Sequence, residues 1–236
     1  MAWWQLSEAE LEAIRLTLLV AFAAVAGSLP FGIGLGWLLA RRDFPGKTAL
    51  ETALSLPLVL PPVVTGYLLL VSLGRNGWLG RYLEQWFGLR LIFTWKAAAL
   101  AAAVIAFPLM VRAIRLAFAA VDPRLESTAR TLGAGPLGTF AAVTLPLAWQ
   151  GILAGSILSF ARSLGEFGAT IMIAGNIPGE TRTISLYIFT LIESPGGIQE
   201  AGRMVVASIL IAAAAMAAGE FMERKYHPAE RREEGP

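Results

Sequence analysis

The chain has 236 residues, 56% of them hydrophobic and only 15% charged, with a mean hydropathy of +0.62, too little polar surface to solvate a globule of this length. A net charge of +2, with the basic residues scattered between apolar stretches, provides no patch for nucleic acid, and the lack of cysteine excludes disulfides, thiolate nucleophiles and cysteine metal sites. The composition is that of an all-α polytopic membrane protein embedded in a lipid bilayer.

Residues 1–10 read as a short flank outside the membrane. No basic residue precedes Arg15, and Glu8, Glu10 and Glu12 stand where a signal peptide would carry positive charge. The membrane domain is expected over 11–222. A spanning helix needs about 20 predominantly apolar residues, and Leu16 to Ala40 meets that length before the polar string RRDFPGK. Thr52 to Leu73 forms a second span, which Pro57, Pro61 and Pro62 should kink or locally unwind. The following stretch mixes glycine, charge and Trp78, Trp86 and Trp95, the composition of an extramembrane connection at a membrane interface.

A third span starts at Ala97 and runs past Val111, because Arg112 and Arg115 can snorkel from its end, with Phe107 and Pro108 as a possible bend. Thr139 to Ala161 forms the fourth. Its Gly151 and Gly155 have a spacing suited to close helix contact, which chance also produces in glycine-containing helices. Arg162 to Arg203 lacks any charge-free run of spanning length, so re-entrant or interfacial structure is expected there. Met204 to Gly219, extended by Glu220 and Phe221, is the fifth span, and 223–236 is a charged, solvated tail. About five transmembrane helices result.

Five spans put the termini on opposite sides. With the N-terminus outside, the inner loops and tail hold eleven of the nineteen Lys and Arg residues, among them Arg41, Arg42, Lys47, Arg112, Arg115, Arg124 and Arg130. That bias favours an outside N-terminus and an inside C-terminus.

Catalytic chemistry is signalled mainly by what is missing. The single histidine, His227, is in the tail, so neither a histidine triad nor a zinc site is available, and the only aspartates, Asp43 and Asp122, lie at helix boundaries. Gly46, Lys47 and Thr48 resemble the end of a phosphate-binding loop, but the glycine that GxxxxGK requires at position 41 is Arg41. The chain is not expected to bind ATP or act as an enzyme by itself. The segment 122–138 has its own signature, with Asp122 as N-cap, Pro123 at the first helical position and Gly133 as a stop. Those residues describe a short stiff helix, and taken alone also fit an ordinary amphipathic loop.

The sequence around that helix, LESTARTLGAGPLGTFAAVTLPLA, resembles the EAA loop of ABC importer permeases, with Gly133, Val143, Leu145 and Pro146 at the family's spacing. It departs at the start: Ser127, Thr128 and Ala129 occupy the Glu-Ala-Ala positions, and the carboxylate is one residue earlier at Glu126, about 100° around a helix. RRDFPGK, LPLVLPPVVTGYLLLVSLGRNGWLG, FPLMVRAIRLAFAAVD and FARSLGEFGATIMIAGNIPGETRTI are similar to the corresponding parts of molybdate permeases. Sulfate and thiosulfate permeases share Gly-Glu-Phe-Gly and Gly-Asn-Ile-Pro, whereas GETRTI at 179–184 looks more like the molybdate branch.

The resemblance implies a type I ABC importer permease fold in the bacterial inner membrane, with 122–138 as a cytoplasmic coupling helix docked in a cleft of an ATPase subunit. It further implies a homodimer with two ATPase subunits, which bind the ATP and Mg, and one periplasmic molybdate-binding protein. The chain itself would hold no cofactor or metal. The cargo would be a tetrahedral oxyanion: molybdate, with tungstate or sulfate and thiosulfate as alternatives. An anion crossing the bilayer should meet hydroxyl, amide or cationic donors, and Ser159, Arg162, Ser163, Glu166, Thr170 and Asn176 are the candidates. A plain i, i+4 ion pair between Arg162 and Glu166 accounts for those two equally well. A passive oxyanion channel remains the rival from another class, since only an ATP-driven importer uses a docking loop; a membrane-embedded enzyme would need clustered ionisable residues at depth.

Overall fold

The computed structural model describes residues 6–226, with side chains through residue 221. The beginning of the N-terminal flank (1–5) and the end of the tail (227–236, with His227) lie outside the described residues. Eleven α-helices and one π-helical turn are present among the described residues. The first is α1, Glu8–Arg41, which starts inside the segment read as flank because Ser7 and Glu10 form a capping box. The second apolar run is divided into α2, Lys47–Val59, and α3, Pro62–Leu73. They are bent by 112° at the Leu60–Pro61 step, so the proline pair breaks the helix rather than kinking it.

The interfacial connection carries a ten-residue amphipathic helix, α4, Trp78–Phe87, with Trp78, Tyr82, Trp86 and Phe87 exposed. The third span, α5, Trp95–Ala120, is longer than expected and continues through Arg112 and Arg115. After α6, Pro123–Thr131, and α7, Pro136–Thr139, a π-helical turn at Phe140–Thr144 leads into α8, Leu145–Leu164. Two short helices follow, α9, Gly168–Ala174, and α10, Ile184–Glu193, then α11, Ile198–Tyr226. The region expected to be re-entrant or interfacial thus contains only short helices between the end of α8 and the start of α11, which begins before Met204.

Four helices are long and apolar enough to span, and the bent α2–α3 pair makes a fifth crossing. The ends of the helices show why. α1 and α5 both finish at the same side, where Arg41 Nη2 donates to the Val121 carbonyl. α5 therefore begins at the opposite side, and α2 and α3 together must carry the chain back. α11 runs parallel to α1, because Arg203 in its first turns pairs with Glu10 at the start of α1, 3.2 Å apart.

The array is centred on α5, whose most apolar window is 61% buried against 11% for that of α11. Its first turns are almost entirely alanine, with Ala97, Ala98, Ala101, Ala102 and Ala106 fully enclosed, while bulky side chains such as Phe22, Phe31, Ile209 and Leu210 face outward. In lipid no hydrophobic force drives helices together, so small residues that permit close approach set the packing. On α1, a Cβ at Gly32 would lie 2.8 Å from Met110 Sδ. The Gly151 and Gly155 spacing is used the same way, facing Ala117 and Ala113 of α5.

A close backbone approach joins α3 to α9. A Cβ at Gly66 would lie 2.7 Å from Ala169 Cα and 2.8 Å from its carbonyl oxygen, and one at Gly168 would lie 3.0 Å from Pro62 Cβ. The α2–α3 and α8–α9 interruptions therefore meet within the array. Gly66→Ala should force these backbones apart and lower the unfolding midpoint in detergent, whereas Gly34→Ala, with nothing within 4 Å of its added methyl, should leave it unchanged or raise stability by about 0.5–1 kcal/mol.

Candidate functional site

The helix α6 projects at the end where α1 and α5 finish. Asp122 caps it by accepting from the Arg124 amide at 2.8 Å, with Pro123 at its first position. Its other end closes in a Schellman pair, Ala134 N–H to the Ala129 carbonyl and Gly133 N–H to the Arg130 carbonyl. That turn needs the left-handed conformation that Gly133 adopts at φ +92°. None of the α6 residues is buried, and Leu132 and Leu137 beyond it are 84% and 85% exposed. Solvated leucines around a stiff helix are the mark of a surface made for a partner.

The displaced carboxylate, Glu126, points into the chain. Its Oε1 accepts from Arg41 Nη2 at 2.9 Å and from Thr144 Oγ1 at 2.8 Å, and both side chains of the ion pair are 14% exposed. Because Arg41 also binds the Val121 carbonyl, one cluster ties together the ends of α1 and α5, the start of α6 and the π-helical turn before α8. Phe140 in that turn packs on Trp37 and Phe118, each with ring centroids 6.0 Å away. The turn has a covalent cause: Pro146 has no N–H and its ring crowds the preceding carbonyls, so the Leu145 amide reaches Phe140 in an i→i−5 bond. Of the motif residues, Ser127, Thr128 and Thr131 bond back to their own helix, and Val143, Leu145 and Pro146 shape the turn.

Next to this end, Glu51 of α2 pairs with Arg115 at 2.8 Å, and Ser55 accepts from Arg112 at 3.1 Å. The arginines that sequence reasoning left to snorkel instead bind α2. Lys47, 2.8 Å from Asp43, lowers the Asp43 carboxyl below its ordinary value by hydrogen bonding and charge. Such a lowered value stabilises the fold above the unfolded-state pKa and ceases to do so as pH falls through the folded-state one; for this fully exposed carboxylate the effect is slight.

The six candidate pathway residues divide into three groups. Ser159, Ser163 and Thr170 are buried within the chain. Ser163 bonds back to the Ser159 carbonyl, while Ser159 Oγ has no partner. Arg162 and Glu166 form the i, i+4 pair at 3.0 Å, with Arg162 one-third exposed and Glu166 enclosed. Glu166 Oε1 also accepts from the Ala169 amide at 2.9 Å, which holds the start of α9 at the α8–α9 break. Asn176 lies beyond α9, donating to Thr190 Oγ1 and accepting from Arg182 Nε. Arg182, Thr190, Arg41 and Thr144 were not singled out from sequence; their partners are 6 to 85 positions away, and no local pattern marks them.

If the Arg41 cluster joins these four elements, Arg41→Ala and Glu126→Ala should each destabilise the purified chain, with a coupling of about 1–3 kcal/mol in a double-mutant cycle. Ser127→Ala, on the exposed face, should stay within about 0.5 kcal/mol. Strict additivity in thermal unfolding would remove the cluster from the account.

Comparison with known proteins accords with this geometry. Residues 32–228 match the family described as binding-protein-dependent transport system inner membrane component. The chain is 55% identical over 219 residues to the molybdenum transport system permease protein ModB of Escherichia coli (strain K12), covering 93% of this chain and 96% of that one. It is 39% identical to the sulfate transport system permease protein CysT of Salmonella typhimurium over 202 residues, 84% of this chain and 73% of that one. Among solved structures, a bacterial importer of the polysaccharide alginate superposes with a TM-score of 0.72 at 17% identity, covering 94% of this chain and 81% of that one. The inward-facing MetNI methionine ABC transporter does so with 0.70 at 16%, covering 93% and 99%. The chain belongs to the family of binding-protein-dependent transport system inner membrane components.

Proposed function

We propose that the chain is the membrane-spanning subunit of an ATP-driven molybdate importer of the bacterial inner membrane. The likeness to molybdenum permeases across nearly the whole chain carries this reading. The exposed α6 supports its mechanical part: a stiff helix with solvated leucines suits the cleft of an ATPase subunit, which would bind the ATP and Mg. Two copies of the chain, two ATPase subunits and one periplasmic molybdate-binding protein form the proposed complex. In this arrangement the N-terminus is outside, the α6 end is inside, and the binding protein docks at the opposite end, near α4 and α10.

Movement of the ATPases would pass through α6 to α1, α5 and α8 together, because Glu126 is bound to Arg41 of α1 and to Thr144 beside α8, and Arg41 is bound in turn to the Val121 carbonyl at the end of α5. The proposed anion path runs past the α8–α9 break, where Arg162 keeps partial exposure beside enclosed Glu166. Interrupted helices leave backbone groups to be satisfied inside protein or along a cavity, the usual setting of a transport path.

The experiment is uptake of labelled molybdate into vesicles containing the chain, its ATPase and its binding protein. ATP-dependent uptake that resists excess sulfate is expected. Competition by sulfate would move the cargo to the sulfate branch, tungstate competition would widen it, and uptake without ATP would make the chain a channel. Arg162→Ala should reduce uptake at least tenfold with assembly intact. Because that change strands a buried carboxylate, the double variant Arg162→Ala, Glu166→Gln is the control: restored uptake would make Arg162 only a partner for Glu166.

A further inference from the structure

At the inner end of the array, a cavity of about 420 Å³ opens between the end of α1, α6 and the π-helical turn. Arg41, Arg42 and Arg130 line it together with Glu126, Thr139 and Thr144. Three arginines and one glutamate thus line it, and that carboxylate is occupied by Arg41 Nη2 and Thr144. Arg42 and Arg130 make no ion pair among the described residues.

Two donors packed behind the cavity wall have no partner. Arg41 Nε is enclosed without an acceptor, and so is Thr139 Oγ1, on a residue only 2% exposed. A buried polar group without a partner costs about 1–3 kcal/mol, and such groups in a native fold call for an explanation. The wall is lined by arginines and carries excess positive charge, the enclosed Arg41 Nε and Thr139 Oγ1 lie behind it, and the cavity has room for more than one water. A cation would be repelled, and an apolar group would leave the donors unmet. A tetrahedral oxyanion accepts hydrogen bonds in several directions and neutralises the excess charge.

We propose that this cavity is an oxyanion site at the root of α6, separate from the transport path, filled either by a free inorganic oxyanion or by the phosphate of an anionic lipid. Occupancy would fasten Arg130 of α6 to Arg41 and Arg42 at the end of α1, so the bound anion stiffens the junction. The inference does not depend on which anion the chain transports.

The test uses the full-length chain in phosphatidylcholine nanodiscs, titrated with inorganic phosphate while the unfolding midpoint is read. A saturable rise is expected. Arg42→Gln and Arg130→Gln, both at exposed positions, should weaken the apparent phosphate affinity about tenfold or more. Thr139→Val removes an unpartnered hydroxyl, so it should leave phosphate-free stability unchanged or higher while weakening the phosphate response. In phosphatidylglycerol nanodiscs, a raised midpoint that phosphate cannot raise further assigns the site to a lipid headgroup; an undiminished phosphate response there assigns it to a free anion. No saturable response in either lipid, or a response that all three variants retain in full, overturns the proposal.

Discussion

The carboxylate of Glu126, held between Arg41 and Thr144, is the contact on which the α6 end of the molecule depends. It joins residues far apart in sequence, and it does so where four segments converge. Without it, α6 would depend mainly on its two flanking loops, since none of its residues is fully buried. An exposed surface ion pair contributes about 0–1 kcal/mol, but these side chains are mostly withdrawn from water. Losing either partner therefore costs more than the pair's net attraction, because a charge is left enclosed without its counterion. In the proposed function this cluster is what makes α6 a lever rather than a tether.

The second constraint is the bilayer. With no water to satisfy free backbone groups, an interrupted helix must be closed off by protein. The two interruptions satisfy this by meeting: α3 and α9 approach at Gly66 and Gly168 so closely that a methyl group at Gly66 would strike backbone. Glu166 caps the Ala169 amide at the second break. The same economy of size explains the alanine-rich α5, which can touch α1 and α8 only because it presents little side-chain volume.

The spans were legible because length and apolar composition suffice to mark a membrane crossing. The helix at 123–131 was legible through Asp122, Pro123 and Gly133, each with a local backbone reason to stand where it does. Hydropathy left open whether the prolines of the second span would kink it or unwind it, and could not show that the break at Pro61 and Pro62 would reach 112° and place α3 against α9. The role of Glu126 was hidden for a similar reason: the displacement from the family position is visible in sequence, but its partner Arg41 is 85 residues away. For the pathway candidates, residue type pointed to donors without showing direction, and Ser159, Ser163 and Thr170 turn out to be enclosed within the single chain.

The central claim, that α6 and the end of α1 move as one body, is open to direct measurement, since the chain contains no cysteine and labels can be placed one pair at a time. Spin labels at Asp43→Cys and Thr131→Cys would be followed in the assembled complex, with labelled chain diluted in unlabelled chain, before and after ATP binding. An unchanged distance within this pair is predicted, while the distance between the Thr131 sites of the two copies, read in a second sample of undiluted chain labelled at Thr131→Cys alone, changes. A shift within the pair as large as that between copies would contradict it.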